Sequence, residues 1–441
     1  MTLLAHPWPF FCANRGGPME TSQEPPQDLA IYLGLQGFEV ESIEIIEAPR
    51  LSECGRRIKL VHLLRRSGFH ACSGCGKGHQ DGLFEEFERI RFRDCSIGDF
   101  ETYVEVRAMR VACCGGTRVE RLPFVMEGFR MTRRFFERIA ALCTKLPIYP
   151  VAEMTGLSWD TVARVDKRAI ELALGDQRKD LGSLRWIGVD EVSRTGGRVY
   201  FTIVTNLKTG RVVWIGDGKG EPGLLPFLDA LGPKGRRRLR VVVSDLGYKG
   251  AIDTHLPKVV HVLDRFHIVQ WINEALNQIR RRMFSATPKD ELGRALKVKK
   301  WVLLSAREKL RHSDKLMLRR LMDLNEPLYQ AYLTKEQLRG ILRYPWRYLG
   351  AFRRRLLEWI ELAKITMLEE LVRVATRIEK HIESVIAGHR YGLKLGLVES
   401  INGKIAILRA QARGYRDPEY FKLKIFQRCS LPDNPWAKVV L

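Results

Sequence analysis

The sequence predicts an α/β protein with a small β-rich region, a short helical region, a mixed α/β region and a long helical region. Three observations lead to this prediction. Short β-like stretches flank a group of cysteines, helical periodicity follows them, and three later apolar runs each end on an aspartate. The pattern is then helical from residue 268 to about residue 386. With 441 residues, the chain is long enough for about two to four domains.

The chain carries a large excess of positive charge. It has 74 Lys and Arg residues against 51 Asp and Glu residues, so its formal net charge is +23. Such an excess attracts a polyanion, and nucleic acid is therefore the expected partner. A ribosome-associated protein and a membrane-surface protein are the alternatives. Hydrophobic residues form 45% of the chain, which is enough to build packed cores.

The expected compartment is the cytoplasm, in association with the nucleoid. No apolar run approaches the roughly 18 to 20 residues that span a bilayer, so no membrane partner is expected. The first five residues lack the basic flank and long apolar stretch of a secretory signal. Most of the nine cysteines lie in one short region, which favours metal binding over a disulfide framework. Residues 1–27 show no periodicity, and we expect a disordered tail there.

The region 40–125 is predicted to be a small β domain of the zinc-ribbon type. Its β-like stretches are residues 40–46, 58–64 and 100–111. They flank Cys72 and Cys75, two thiols one turn apart that can bind one zinc ion. A second pair of ligands is needed to complete a tetrahedral site.

The second pair of cysteines departs from the usual spacing. Cys113 and Cys114 are adjacent, so both can bind one ion only if the chain turns tightly, and Gly115 and Gly116 could supply that turn. Two interpretations stay open, a zinc site and a degenerate knuckle that packing holds together. Substitute ligands in the same region are His70, His79 and Cys95.

The region 130–176 is predicted to be a helix-turn-helix domain. A short helix, a turn at Gly156 and a second helix with Ser158 as its N-cap form this pattern. An ordinary helical hairpin that binds nothing is the alternative. In the helix-turn-helix interpretation the residues that face DNA are Trp159, Thr161, Arg164 and Lys167.

Three apolar β-like runs each finish on an aspartate. The runs are 186–189, 239–244 and 258–263, and the aspartates that follow them are Asp190, Asp245 and Asp264. Carboxylates at the ends of neighbouring strands converge and repel one another unless a cation compensates them. Mg²⁺ prefers such oxygen ligands, and two ions can hold both oxygens of a phosphoryl displacement.

The order of these elements favours a catalytic interpretation of two of the aspartates. Two more β-like runs and a helical stretch (223–231) separate Asp190 from Asp245. Three strands, a helix and a fourth strand that ends on the second acid form the ribonuclease H-like order. A single Asp after a strand is more often a cap or a turn residue. Asp264 could equally be a structural partner of Arg265 or His267.

The long helical region has apolar faces and a strongly basic segment. One apolar face is predicted from Ile268, Ile272, Leu276 and Ile279, and another from Leu357, Trp359, Ile360 and Leu362. Residues 277–320 contain 14 Lys or Arg against 4 Asp or Glu. A solvated helix and a surface that follows DNA phosphates are both compatible with this imbalance. The DNA-binding candidates here are Arg280, Arg281, Lys299 and Lys300. Beyond this region, further candidates on a helix near residue 400 are Lys404 and Arg409.

Several motifs in fixed order resemble those of a known family. They are Ile187-Gly188-Val189-Asp190-Glu191, Ser244-Asp245-Leu246-Gly247-Tyr248, Asp264-Arg265-Phe266-His267, Leu397-Val398-Glu399-Ser400-Ile401-Asn402 and Gly414-Tyr415-Arg416. With these motifs the chain resembles bacterial insertion-sequence transposases of the ISL-three family over residues 40–428. The resemblance implies a catalytic triad of Asp190, Asp245 and Glu399 that holds Mg²⁺ or Mn²⁺.

The resemblance also implies an architecture. A zinc ribbon (40–125) and a helix-turn-helix (130–176) would precede a ribonuclease H-like domain (184–270) that a helical insertion (271–390) interrupts and residues 391–430 complete. Two features depart from the family. The second cysteine pair is adjacent, and Ala412-Arg413 stands where an aromatic residue often precedes Gly414-Tyr415.

The function expected from the resemblance is DNA transposition. The enzyme would bind the inverted-repeat ends of its element, cut there and join the freed 3′ hydroxyl to target DNA. The family also implies a homodimer or a larger assembly on double-stranded DNA. The alternatives are a DNA-binding repressor with an inert nuclease-like domain and a structure-selective nuclease without strand transfer.

Overall fold

The computed structural model describes residues 35, 37–46, 57–66, 69–80, 84–175, 181–194, 197, 199–286, 300–391, 393, 396–412, 415–431 and 436. The expected tail and Lys299 lie outside these residues. The chain forms two compact units. The first comprises residues 1–143, 150–165 and 439–441, and the second comprises residues 144–149 and 166–438. Within the described ranges, none of the helices has the length and apolarity that a bilayer-spanning segment requires.

The first unit contains a five-stranded sheet and a small two-stranded knuckle. The strands are β1 (Phe38–Ile46), β2 (Ile58–Arg65), β3 (Phe69–Ala71), β4 (Gly78–Gln80), β5 (Phe84–Arg93), β6 (Glu101–Cys113) and β7 (Gly116–Val119). The sheet has the order β1-β2-β6-β5, with β7 paired to β6, and only β2 and β6 are parallel. The three predicted strands are present as β1, β2 and β6. Their alternating apolar residues, such as Val61 and Val104, are fully buried against Phe124.

Three helices follow this sheet in the sequence. They are α1 (Arg133–Lys145), α2 (Ile148–Thr155) and α3 (Trp159–Leu174). Gly156 has φ +69°, a left-handed conformation that glycine adopts easily, and it ends α2. The Ser158 hydroxyl accepts a hydrogen bond from the amide of Thr161 at 3.3 Å, so Ser158 is the predicted N-cap of α3.

The second unit is built on a mixed five-stranded sheet. Its strands are β8 (Trp186–Ser193), β9 (Tyr200–Asn206), β10 (Arg211–Asp217), β11 (Val241–Ser244) and β12 (Val260–Leu263), in the order β10-β9-β8-β11-β12. Strands β8, β9 and β10 form an antiparallel meander, and β8, β11 and β12 are parallel. Helix α4 (Glu221–Arg238), which is bent at Gly232, separates β10 from β11, and α5 (Lys249–His255) precedes β12.

The helices that follow β12 share one large core. They are α6 (Arg265–Ala286), α7 (Lys300–Leu304), α8 (His312–Leu324), α9 (Glu326–Arg343), α10 (Leu349–Ile365), α11 (Glu369–Lys380) and α12 (Ile382–Arg390). The predicted face of α6 is confirmed, because all four of its residues are fully buried in this core. Capping residues help to define where these helices begin. The Asn325 side chain, for example, accepts the amide of Leu328 and caps α9.

The predicted second apolar face is only half correct. Trp359 and Ile360 of α10 are buried, and the Trp359 ring nitrogen donates to the Thr334 carbonyl at 2.9 Å. Leu357 and Leu362 lie on the other side of the helix and remain 40% and 52% exposed. The four residues span more of the helix circumference than one buried face can cover, so α10 carries apolar residues on two sides.

The last two helices close the second unit. Helix α13 (Gly396–Gln411) packs beside β8, and α14 (Pro418–Ser430) packs beside β10. The C-terminal half of α3 contacts α14 through a buried carboxylate, Asp166, which has no solvent exposure. It accepts hydrogen bonds from the Tyr420 hydroxyl (2.5 Å), the Lys424 ammonium (3.0 Å) and the Gln427 amide (3.4 Å).

Replacing Asp166 with Ala is expected to destabilise the protein by about 3–5 kcal/mol, because it removes a fully buried carboxylate that pairs with the buried Lys424 ammonium. Glu171→Ala on the same helix removes an exposed carboxylate that pairs with exposed Arg168, and should change stability by less than about 0.5 kcal/mol. Chemical denaturation followed by circular dichroism measures both. Equal effects of the two substitutions would contradict the assigned role of Asp166.

Candidate catalytic site and nucleic-acid interface

The three aspartates stand at one level across the second sheet. In the parallel pairing, Val241 lies opposite Trp186 on β8 and opposite Val260 on β12. Continuing this register to the ends of the strands puts Asp245 level with both Asp190 and Asp264. Adjacent strands lie about 4.8 Å apart, so the three residues start from neighbouring positions at the carboxyl end of the parallel strands.

Helix α13 passes close to β8 beside these aspartates. Gly188 and Asp190 point to the same face of the sheet because they are two residues apart. A Cβ atom at Gly188 would lie only 2.7 Å from Val398 Cγ2, so glycine permits the close approach of the helix. One turn further along α13, the Asn402 amide donates to Asp190 Oδ2 at 2.5 Å. Glu399 lies three residues before Asn402, on the same side of α13.

Asp190 has three polar neighbours. Its Oδ1 accepts the backbone amide of Glu191 at 2.8 Å and lies 3.6 Å from His267 Nε2, while its Oδ2 accepts the Asn402 amide. His267 belongs to the first turn of α6, directly after β12. Asp245 is held by its own turn, since its Oδ1 accepts the amide of Leu246 at 2.6 Å.

The pKa values of the residues next to Asp190 reflect the many carboxylates in this region. Burial lowers the pKa of His267, but the neighbouring Asp190 carboxylate and the other negative charges around it outweigh burial and raise the pKa above its usual value. Burial also raises the pKa of Glu191, where the charge of Lys219 opposes the shift and that of Asp190 adds to it. The region therefore favours cations over additional negative charge.

Asp264 has the role of a helix cap. It is 5% exposed, and its Oδ1 accepts the amide of Phe266 at 3.0 Å at the start of α6. Burial raises the pKa of its carboxyl group above the usual value. This geometry fits a structural role for Asp264.

Asn402 ties the helix that carries Glu399 to Asp190, but the three carboxylates of the predicted triad do not converge on one point. Glu399 is exposed in the first turn of α13. Among the described residues, no three acidic or imidazole groups have their ligand atoms within 4.8 Å of one another. The donor set nevertheless fits a hard divalent cation. Its carboxylates supply oxygen ligands, and the buried Oδ1 of Asn402 has no hydrogen-bond partner among the described residues.

The four predicted zinc ligands form a compact cluster in the first unit. The sulfur atoms of Cys72, Cys75, Cys113 and Cys114 all lie within 4.8 Å of one another. The predicted tight turn is present between β6 and β7. Cys114 and Gly115 have φ +54° and +76°, the signs at both central positions of a type I′ hairpin turn. The adjacent cysteines therefore both reach one point.

The local environment favours the thiolate form on the first pair. Amides of Cys75 and Gly74 lower the pKa of Cys72, and a hydrogen bond from Cys114 lowers the pKa of Cys75 to about 7. His70 is not part of the cluster, because its Nδ1 bonds Glu120 Oε2 at 2.9 Å. Neither His79 nor Cys95 belongs to the four-sulfur group.

The predicted DNA-facing residues of α3 differ in their surroundings. Trp159 is 52% exposed, and Arg164 is exposed with its guanidinium over the Phe129 ring. Thr161 shares a hydrogen bond with the Ser158 hydroxyl at 2.9 Å. Lys167 is already engaged in an ion pair with Asp417 at 2.5 Å.

The basic candidates also separate into exposed and engaged groups. Arg281 and Lys404 are exposed, and the Lys300 ammonium lies over the Trp301 ring, which is 71% exposed. Arg280, in contrast, is only 9% exposed and bonds the Asn277 side chain. Arg409 donates to the Ser193 carbonyl at 2.7 Å, which ties α13 to the end of β8.

Sequence reasoning did not assign His267 and Asn402 to the site. Both residues belong to the motifs given above, and their spacing from the neighbouring acids could have pointed to them. His267 lies three residues after Asp264 in the first turn of a helix, and Asn402 lies three residues after Glu399. A helical spacing of three puts each of them on the side of its helix that carries the neighbouring acid.

Comparison with known proteins identifies the family. Residues 187–425 match the ISL3 family of DDE transposases, described as "Transposase", and residues 120–170 match the "Helix-turn-helix domain of transposase family ISL3". The transposase for insertion sequence element IS1001 of Bordetella parapertussis is 29% identical over 407 residues, which cover 91% of this chain and 97% of the relative. The transposase for insertion sequence element IS1557 of Mycobacterium tuberculosis is 28% identical over 383 residues, covering 80% and 84%.

The family match on the catalytic region extends over more than half of the chain and includes all three predicted acids. The helix-turn-helix match includes α2 and most of α3, which implies DNA binding. The chain belongs to the ISL3 family of insertion-sequence transposases, the ISL-three family that its motifs resemble.

Proposed function

We propose that this transposase binds the inverted-repeat ends of its element and catalyses metal-dependent cleavage and strand transfer through Asp190, Asp245 and Glu399. The observation that carries the proposal is the arrangement of these acids. Asp190 and Asp245 stand level on neighbouring parallel strands, and Asn402 ties α13, the helix of Glu399, to Asp190. A shared reaction explains why acids so far apart in the chain are directed to one edge of a sheet.

We infer a ribonuclease H-like catalytic domain from the order of the elements. An antiparallel meander, a helix and two parallel strands on the other side of β8 support this assignment. The helices between β12 and α13 are then the helical insertion, and α13 and α14 complete the domain. The five-stranded sheet of the first unit with its cysteine cluster supports the zinc-ribbon assignment.

Mg²⁺ or Mn²⁺ is the proposed cofactor of the triad, held by the carboxylates of Asp190, Asp245 and Glu399. When bound, such ions neutralise the charge of a phosphodiester and lower the pKa of a water molecule. Within the protein, the Asn402 amide orients one Asp190 oxygen, and the amide of Glu191 orients the other. The Leu246 amide orients Asp245 in the same way.

The proposed reaction consists of two phosphoryl transfers. A water oxygen attacks phosphorus at the end of the element, the bond from phosphorus to the 3′ oxygen breaks, and a 3′ hydroxyl is left. That hydroxyl then loses its proton and attacks a target phosphodiester, whose own 3′ oxygen leaves as a new strand join forms. No covalent enzyme intermediate is needed, because neither step uses a nucleophilic side chain.

DNA recognition is proposed for the helix-turn-helix and for exposed basic residues. Trp159, Thr161 and Arg164 are available for contacts by α3, and phosphate contacts are proposed for Arg281, Lys300 and Lys404. Arg280, Lys167 and Arg409 are already used in contacts within the protein, so we propose structural roles for them. Cleavage at two element ends further implies at least two protein copies on the DNA.

Asp190→Asn, Asp245→Asn and Glu399→Gln are each expected to reduce Mg²⁺-dependent end cleavage by at least about 10²-fold while leaving DNA binding intact, because only the metal-binding charge is removed. Asp253→Asn on α5, an exposed acid paired with Lys249, is the matched control and should cleave normally. The assay uses labelled end DNA together with a target plasmid. Unchanged cleavage by a triad variant would refute the triad, and cleaved but never joined products would support a nuclease without strand transfer.

Purified protein is expected to contain about one zinc ion per chain, and Cys72→Ser or Cys113→Ser should remove it, because three thiolates hold the ion less tightly than four. Elemental analysis by mass spectrometry measures the zinc content. Cys95→Ser, which changes a cysteine outside the four-sulfur group, should keep the ion. A metal-free native protein, folded under reducing conditions, would instead support the degenerate knuckle.

Arg164→Ala is expected to weaken binding to inverted-repeat DNA and to reduce the slope of log affinity against log salt by about 1, since one phosphate contact is lost. Arg168→Ala is the matched control, because Arg168 is exposed on the same helix and paired with Glu171. Fluorescence anisotropy at several salt concentrations gives the slopes. Identical slopes for both variants and the native protein would exclude Arg164 from the interface.

A further inference from the structure

The exposed side of α10 is unusual for a helix surface. Leu357, Leu362 and Ile365 are 40%, 52% and 73% exposed, and Met367 just beyond the helix is 84% exposed. The opposite side of α10 is buried in the helical core through Phe352 and Trp359, among others. A helix with apolar residues on both sides is normally covered on both sides. Contiguous exposed apolar residues of this kind mark an interaction surface.

The charges on this side argue against DNA as the occupant. Glu358 and Glu361 stand between the exposed apolar residues and would repel a phosphate backbone. Among the residues that line this surface, Arg353 and Arg354 balance Glu358 and Glu361, although the chain as a whole carries +23. A protein surface with apolar residues and both signs of charge is therefore the better match.

The order of the charges points to a second copy of the same chain. Arg353 and Arg354 precede Leu357, and Glu358 and Glu361 follow it. When two such helices pair antiparallel about a twofold axis, the basic half of each meets the acidic half of the other. Interfaces with twofold symmetry require this self-complementarity, in which residue i meets j and j meets i.

The shape of the surface is self-complementary in the same register. If the axis passes next to Leu357, Arg354 lies level with Glu361 of the second copy, and Gly350 lies level with its Ile365. A side chain at Gly350 would meet nothing within 4 Å, so this position is a notch opposite a large residue. Residues 350, 354, 357, 361 and 365 follow one another at helical spacing and form one seam.

We propose that this seam of α10 is a homodimer interface, in which two copies of the transposase pair their α10 helices antiparallel about a twofold axis between Leu357 and Glu358. The existing ion pairs of Arg354 and Glu361 with Glu358 and Lys364 are solvent-exposed and weak, so they can exchange for pairs across the interface. This interface provides a physical basis for the assembly of two copies that the proposed function implies. The experiments below measure dimerisation and require no catalytic step.

The first experiment measures mass in solution without DNA by sedimentation over a range of concentrations. The native chain is expected to form dimers, and Leu357→Glu and Ile365→Glu should each raise the dimer dissociation constant by at least about tenfold. Leu316→Glu, at a leucine 48% exposed on α8, is the matched control and should dimerise normally. A native chain that stays monomeric throughout would overturn the proposal, as would a dimer indifferent to both seam substitutions.

The second experiment tests the symmetry by charge reversal. Arg354→Glu and Glu361→Arg should each weaken the dimer, because each places like charges opposite one another twice. The two together in one chain should restore the native dissociation constant within about threefold, since opposite charges then face one another again. Additive weakening in the double variant would overturn the antiparallel register.

The third experiment locates the axis by cross-linking. Leu357→Cys should be joined to its own counterpart by a short bismaleimide, above the background of the parent chain. Ile365→Cys should not, because the two copies of residue 365 would lie about 22 Å apart at 1.5 Å per residue. The reverse pattern would exclude an axis between Leu357 and Glu358.

Discussion

The close approach of α13 to β8 is the contact on which the candidate active site depends. A Cβ atom at Gly188 would stand 2.7 Å from Val398 and 3.1 Å from Leu207, so a larger residue would force the helix away from the strand. At its observed distance, α13 can reach Asp190 through Asn402. A displacement of even 1 Å would break this hydrogen bond and carry Glu399 away from the aspartates with it. The space left by the missing side chain of Gly188, rather than a specific attraction, thus determines whether Glu399 can take part in the site.

The candidate active site is negatively charged, whereas the protein as a whole is positively charged. The chain as a whole attracts DNA through its charge of +23, whereas the acids at the sheet edge repel the same phosphates at short range. These acids also raise the pKa of His267, which favours its protonated, positively charged form. The remaining negative charge has to be balanced by bound cations before a phosphodiester can approach. Substrate binding and metal binding at such a site are therefore coupled.

The sequence was a good guide where one element determines a residue's position. Asp190 and Asp245 follow apolar strands, and strand order alone brings them together. Glu399 could not be found in this way, because its place depends on the packing of α13 against β8, two elements far apart in the chain, and only family resemblance supplied it. The sequence also could not show which basic side chains are already bound to partners within the protein. Arg280 and Lys167 are basic residues of the kind that contact DNA. However, Arg280 is buried, and Lys167 forms an ion pair with Asp417. Strand β5 was not predicted, because it is rich in charged residues and its apolar alternation is limited to Ile90 and Phe92.

The cysteine cluster shows why spacing in sequence is a weaker guide than backbone conformation. Adjacent side chains of an extended strand point in opposite directions, so Cys113 and Cys114 would diverge if β6 continued. The hairpin turn reverses the chain at this point, and the positive φ of Cys114 swings its side chain back towards Cys75. A non-glycine residue in this conformation costs energy, and a shared metal ion is the interaction that could compensate it. The departure from the family spacing is therefore compatible with the same four-sulfur geometry, reached by a different path of the backbone.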